Sequence, residues 1–147
     1  MKIPKELTNA ILIFIGISLY FLVMEFLGLS RFLYLRILNA AFIYYGVNRT
    51  LRMNMEEGQF GYITNLVSVA KTAVGSVFLS VGGLLVYIYL RGGTAYMRNL
   101  SGAFLFGGKP TANEYCIGVL IEGIASSVII VFVAMQLWRK KNSSQDD

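Results

Sequence analysis

Four long apolar runs separated by polar segments constrain this chain more than any other feature of its sequence. They are Ala10–Leu27, Phe32–Val47, Thr72–Leu90 and Cys116–Trp138. A helix of about 20 apolar residues crosses a hydrocarbon core about 30 Å thick. The runs therefore predict an all-α fold, an integral membrane bundle of four transmembrane helices formed by residues 1–141. Residues 142–147 are expected to form a disordered polar tail.

The overall composition agrees with the apolar runs. Of the 147 residues, 56% are hydrophobic and only 14% are charged, whereas an average soluble domain is about one-quarter charged. A small soluble domain leaves much of its chain exposed and could not bury this much apolar surface. The composition therefore predicts that lipid surrounds most of the chain.

Runs two and three are expected to form helices that extend beyond their apolar limits. Run two is short and contains Arg36 and Asn39, so it would cross the membrane by continuing through Asn48–Met53 or by local thinning of the bilayer. Run three is expected to begin its helix near Tyr62, because Ile63–Ala70 contains no helix breaker.

The basic residues predict the orientation of the four spans. Seven fall on one side of the expected membrane: Lys2, Lys5, Arg49, Arg52, Arg139, Lys140 and Lys141. Four fall on the other side: Arg31, Arg91, Arg98 and Lys109. The positive-inside rule then places both termini in the cytoplasm, in a cell membrane that we expect to be a bacterial inner membrane. The first run is expected to stay as an uncleaved span, because no A-x-A cleavage site follows it.

The available residue types exclude several kinds of chemistry. The chain has no histidine and one cysteine, Cys116, which excludes histidine-based zinc sites, Ser-His-Asp triads and an internal disulfide. Both aspartates, Asp146 and Asp147, lie in the tail, and no P-loop or Gly-x-Ser-x-Gly motif occurs. We therefore expect no enzymatic activity, no cofactor and no metal. The net charge of +5 arises mostly at the ends of the runs, which favours the anionic headgroups of a lipid bilayer over nucleic acid as a partner.

Small and polar residues recur at every fourth position in runs three and four, so that they share a helix face. In run three these are Thr64, Ser68, Thr72, Ser76 and Ser80, and in run four they include Gly118 and Ser126. Such faces let two helices approach closely and form hydrogen bonds across the contact. They could pack within one bundle, or they could bind a second chain, either another membrane protein or a copy of this one.

Four polar residues form a predicted intramembrane cluster in the outer half of the bundle: Glu25, Arg36, Asn39 and Glu122. Charged groups within hydrocarbon usually face a partner or water. Across the turn between runs one and two, Glu25 comes opposite Arg36, which predicts an ion pair that Asn39 could extend. One interpretation is a neutralising pair that holds this hairpin. The other is an outer-facing polar cavity in which one carboxylate carries a proton.

The order of several short segments resembles a known family. The segments are Tyr45–Arg49, Glu56–Gly58, Phe60–Gly61 and Ala70–Gly75. Together with the four-span layout, they resemble small four-span membrane proteins of unknown function that are common in Bacteroidetes. The resemblance covers about a fifth of the chain and implies the layout but no activity.

Two functional hypotheses follow from the sequence. The first is a non-catalytic membrane protein, an accessory subunit or scaffold that binds other membrane proteins through the small-residue helix faces. The second is a small proton-coupled transporter or channel-like protein that uses Glu25, Arg36 and Glu122.

Overall fold

The computed structural model describes residues 3–29, 32, 37–100 and 108–143, and five helices make up nearly all of this part of the chain. They are α1 (Lys5–Phe26), α2 (Asn39–Glu56), α3 (Tyr62–Leu90), α4 (Thr94–Leu100) and α5 (Ala112–Ser143). These ranges contain no strands, so the predicted all-helical fold is confirmed for them. By length and composition, α1, α3 and α5 could each cross a membrane.

The limits of the helices follow from local sequence signals. Helix α3 begins at Tyr62, as the absence of a breaker predicts, and its end is followed by Gly92 and Gly93 with φ values of 119° and 62°. Such positive φ angles suit glycine because it has no Cβ. Helix α5 starts with a capping box, in which the Thr111 hydroxyl accepts the backbone N–H of Glu114 and the Glu114 carboxylate accepts that of Thr111.

Helix α2 differs most from the expectation. It begins at Asn39 rather than near Phe32, and it continues through Asn48–Met53 to Glu56. It is the one long helix of the described ranges that is too polar to count as a candidate membrane span. The physical reason lies in its environment, because neighbouring helices bury its polar side chains, including Thr50 and Asn54.

Contacts along the helices define their directions. Thr50 of α2 contacts Asn9 of α1 and Thr72 of α3, while Phe42, two turns earlier, packs on Tyr20 near the other end of α1. Helix α2 is therefore antiparallel to α1. The start of α1, the end of α2, the start of α3 and the end of α5 meet at one end of the bundle, which we call the termini end. The opposite end carries α4 and is called the α4 end.

Glycines allow close approach of the helices in the core. A Cβ built on Gly46 of α2 would overlap the buried side chain of Ile13 in α1. A Cβ on Gly123 of α5 would lie 2.7 Å from Val77 Cγ1 in α3. The surrounding core is aliphatic and includes Val47, Leu51, Val69, Ala73 and Ala134. Glycine at these positions therefore allows α1 to pack closely against α2, and α3 to pack closely against α5.

Candidate functional site

A hydrogen-bonded polar network lies inside the bundle at the termini end. The Asn9 Nδ2 group donates to Thr50 Oγ1 at 2.8 Å, and the Thr50 and Thr72 hydroxyls lie 3.0 Å apart. Each hydroxyl also has a backbone acceptor one turn earlier in its own helix, Gly46 O or Ser68 O. Thr50 and Thr72 are 0% exposed and Asn9 is 1% exposed. This network joins α1, α2 and α3 and excludes solvent.

Further polar contacts extend this network to the chain surface. Asn54 of α2 donates to Asn65 of α3 at 2.8 Å, and Ser68 of α3 donates to the Glu6 carboxylate at 2.8 Å. These contacts were not predicted from the sequence. A signal was present, because Thr50 and Asn54 lie four residues apart and share a face of α2.

The structure places the small-residue faces inside the chain's own packing. Ser68, Thr72 and Ser76 are buried, as is Gly118. Ser80 and Ser126 are half-buried and line a cavity described below. The four buried residues of these faces are therefore covered by other parts of this chain. Thr64, at the start of the row, is exposed.

At the α4 end, Glu25 is bound by side chains from two other parts of the chain. Its carboxylate accepts hydrogen bonds from the Tyr87 hydroxyl and, at 2.6 Å, from the Tyr96 hydroxyl. Arg91 lies 3.4 Å from the same carboxylate and also donates to the Tyr87 hydroxyl at 3.2 Å. We call these four residues the Glu25 cluster. It attaches α4 to α1 and α3.

Two groups of the Glu25 cluster that lie outside the candidate spans have shifted pKa values. Burial, together with the hydrogen bond to Glu25, raises the pKa of Tyr96 above its ordinary value. The hydrogen bond with Tyr87 and the charge of Glu25 raise the pKa of Arg91. Both shifts favour the protonated state of the two side chains beside the carboxylate.

Of the predicted intramembrane cluster, Arg36 lies outside the described residues. The ion pair between Glu25 and Arg36 therefore stays a prediction. The partners of Glu25 found here were not predicted from the sequence.

The other two members of the predicted cluster, Asn39 and Glu122, line one cavity. It has a volume of about 300 Å³ and lies between α1, α2, α3 and α5 towards the α4 end. Most of its walls are apolar, and Ser80 and Ser126 add hydroxyl groups. Its walls include the exposed side chains of Leu22 and Ile37, so it reaches the surface between α1 and α2.

The polar atoms around this cavity differ in their partners. The Asn39 Oδ1 and Ser80 Oγ atoms are buried and have no hydrogen-bond partner in the described part of the chain. A buried polar atom without a partner costs about 1–3 kcal/mol, which an ordered water or a bound molecule can recover. The cavity thus combines apolar walls, a carboxyl group and polar atoms that an occupant could satisfy, which is typical of small-molecule sites.

The acidic side chains and the cysteine are spread through the described residues. In ranges 3–29, 37–97 and 108–141, no group of three or more histidine, cysteine, aspartate or glutamate side chains could hold a metal ion. Cys116 is buried at the start of α5. The carboxylates of Glu6 and Glu25 are engaged in hydrogen bonds between helices.

In comparisons with known proteins, no family model, no curated protein and no solved structure matches this chain. The resemblance to small four-span Bacteroidetes proteins is therefore a hypothesis, and the case for a function depends on the geometry described above.

Proposed function

We propose that this protein is a non-catalytic integral membrane protein with four spans, in a bacterial inner membrane, with both termini in the cytoplasm. Three candidate spans and the antiparallel course of α2 between them support an even number of crossings. Helix α2 has 18 residues, about 27 Å of helix at 1.5 Å per residue. Near its C-terminal end, Thr50 contacts α1 and α3 and the Asn54 side chain donates to α3, and these hydrogen bonds would make a polar span more tolerable in lipid.

We infer that the protein binds a small molecule in the cavity at the α4 end and acts as a small proton-coupled transporter or channel-like protein. The observation that carries this proposal is the placement of Asn39, Ser80 and Glu122 around one opening of about 300 Å³. Its predominantly apolar walls favour an amphipathic molecule with one polar or cationic group. Glu122 supplies the titratable group that coupling to protons requires.

Uptake into liposomes tests this proposal. A panel of amphipathic amines is offered to proteoliposomes across a pH gradient, and the Glu122→Gln variant is compared with the parent. We expect the substitution to abolish the pH-dependent part of uptake while the protein stays folded. Glu56→Gln is the matched control, because Glu56 is an exposed glutamate at the end of α2. Equal pH-dependent uptake by the parent and the Glu122→Gln variant contradicts the proposal, as does a lack of uptake by the parent.

A second candidate function is that of an accessory subunit or scaffold for another membrane protein. One observation favours it: Gly82 of α3 is exposed, and a Cβ there would meet no atom within 4 Å. A partner helix could approach closely at this position.

Affinity purification from native membranes tests the second candidate. We expect a stoichiometric membrane-protein partner to co-purify with the parent and to be lost with Gly82→Leu. The control is Ile121→Leu, a change at an exposed position of α5. Retention of the same partner by Gly82→Leu would contradict docking at this face.

A further inference from the structure

A second opening lies at the termini end and belongs to neither proposed function. It has a volume of about 380 Å³ between the ends of α2, α3 and α5. Apolar side chains form much of its wall, including Leu51, Met55 and Met135, and Phe60 stands at its edge. We call it the termini-end groove.

The described residues leave this groove uncovered. Phe60 is 70% exposed and Tyr62 is 43% exposed. Two aromatic rings exposed beside an apolar recess are costly in water. At the boundary of a bilayer the same rings contact acyl chains and headgroups, and aromatic residues are enriched at that level.

One basic residue forms part of the groove wall, and two others lie near it. Arg139 is an exposed wall residue, and Trp138 next to it donates to the Asn48 side chain of α2. Arg52 lies one turn beyond Asn48, so it is on the face of α2 that is turned towards Trp138. The Lys141 ammonium lies 5.5 Å from the centre of the Trp138 ring, which places another cation beside the groove.

We propose that the termini-end groove binds one anionic phospholipid. Its phosphate lies between Arg139 and Arg52, and an acyl chain runs along Phe60 and Met55. Charge complementarity selects this occupant, because basic pockets between membrane helices suit anionic headgroups. Residues 144–147 are also acidic in part, but the sequence Ser-Gln-Asp-Asp offers no apolar side chain to such walls.

Lipid retention tests this inference. The full-length protein is purified in detergent and mixed with equal amounts of phosphatidylglycerol and phosphatidylcholine, and the retained lipid is counted by native mass spectrometry. The parent is expected to retain one phosphatidylglycerol in preference to phosphatidylcholine. Because one basic residue near an anionic lipid is worth about a five-fold change in affinity, Arg139→Gln should reduce the preference about five-fold and Arg52→Gln should reduce it again.

Two variants separate a shaped groove from general attraction to positive charge. Phe60→Ser removes an exposed wall without removing charge, and it is expected to lower phosphatidylglycerol retention. Lys109→Gln removes one charge at the opposite end and is expected to leave retention unchanged. The inference is overturned if the parent retains the two lipids equally, if Phe60→Ser has no effect, or if removing residues 144–147 raises retention. A negative result for lipid retention would not contradict uptake through the α4-end cavity. A negative result for uptake would likewise not contradict lipid binding in the termini-end groove.

Discussion

The buried network at the termini end and the cavity towards the α4 end differ in the surroundings of their polar side chains. At the termini end, the Thr50 and Thr72 hydroxyls are wholly buried and 3.0 Å apart, and each has a further partner. At the α4 end, Glu122 is half-buried beside a cavity of about 300 Å³. The network therefore uses polar groups to join helices, and the cavity presents polar groups around space that a molecule could fill.

This contrast separates structural polar groups from candidate functional ones. Inside apolar surroundings, a polar group is stable when its hydrogen bonds are made within the protein, and such pairs give a modest net stabilisation. At the cavity, the buried Asn39 Oδ1 and Ser80 Oγ atoms have no such partner in the described part of the chain, and an occupant could supply one.

The largest expected effect comes from adding a side chain at a tight contact between two helices. The same kind of change at the cavity is the comparison. Gly46→Val places two methyl groups against Ile13, and we expect the free energy of unfolding to fall by about 2–3 kcal/mol because overpacked cores must shift. Ala40→Leu, six residues earlier in α2, extends into the cavity and is expected to change stability by less than about 1 kcal/mol. Unfolding in mixed SDS micelles measures both.

The comparison between tight packing and open space fails if the two substitutions cost the same. A costly Ala40→Leu would mean that the cavity walls cannot accept an added side chain. A harmless Gly46→Val would mean that α1 and α2 separate easily.

The next effect tests the buried network directly. Thr50→Val keeps the shape of the side chain but removes the hydroxyl that contacts both Asn9 and Thr72, and we expect a loss of about 1–2 kcal/mol. Thr64→Val, at an exposed position of α3, is the control and should have little effect. A double-mutant cycle with Thr72→Val should show coupling, since the two hydroxyls are in contact. Additive losses would mean that the pair contributes no mutual stabilisation.

Part of this fold could be predicted from the sequence. Helix α3 begins at Tyr62 as expected, because an unbroken helical segment is a local property. The course of α2 was harder to predict, since its polar residues are acceptable only when α1 and α3 cover them. The partners of Glu25 lie more than 60 residues away in the chain, so no local pattern identifies them. The cavity likewise depends on four helices meeting.

A smaller effect is expected from the Glu25 cluster. Tyr96→Phe removes a 2.6 Å hydrogen bond to the carboxylate and should cost about 1 kcal/mol. Arg91→Gln should cost less than Tyr96→Phe, because the Arg91 side chain is 57% exposed and exposed ion pairs contribute little. Thermal unfolding in detergent ranks the two variants. If Arg91→Gln is the more damaging change, charge rather than hydrogen bonding holds α4 in place.

The smallest effect concerns the pH dependence of the α4 end. The pKa of Tyr96 is raised in the folded protein by burial and by its bond to Glu25, so folding favours the neutral phenol. This contribution is fully present below the ordinary tyrosine pKa of about 10, and it is lost as pH rises further because the unfolded chain then ionises first. We expect the parent to lose more stability than Tyr96→Phe between about pH 9 and pH 11. Lysine titration affects both proteins alike, so the difference between their unfolding curves isolates Tyr96. Parallel curves would show that the Tyr96 hydroxyl is exposed to water in solution, and the α4 end would then be open rather than held by the Glu25 cluster.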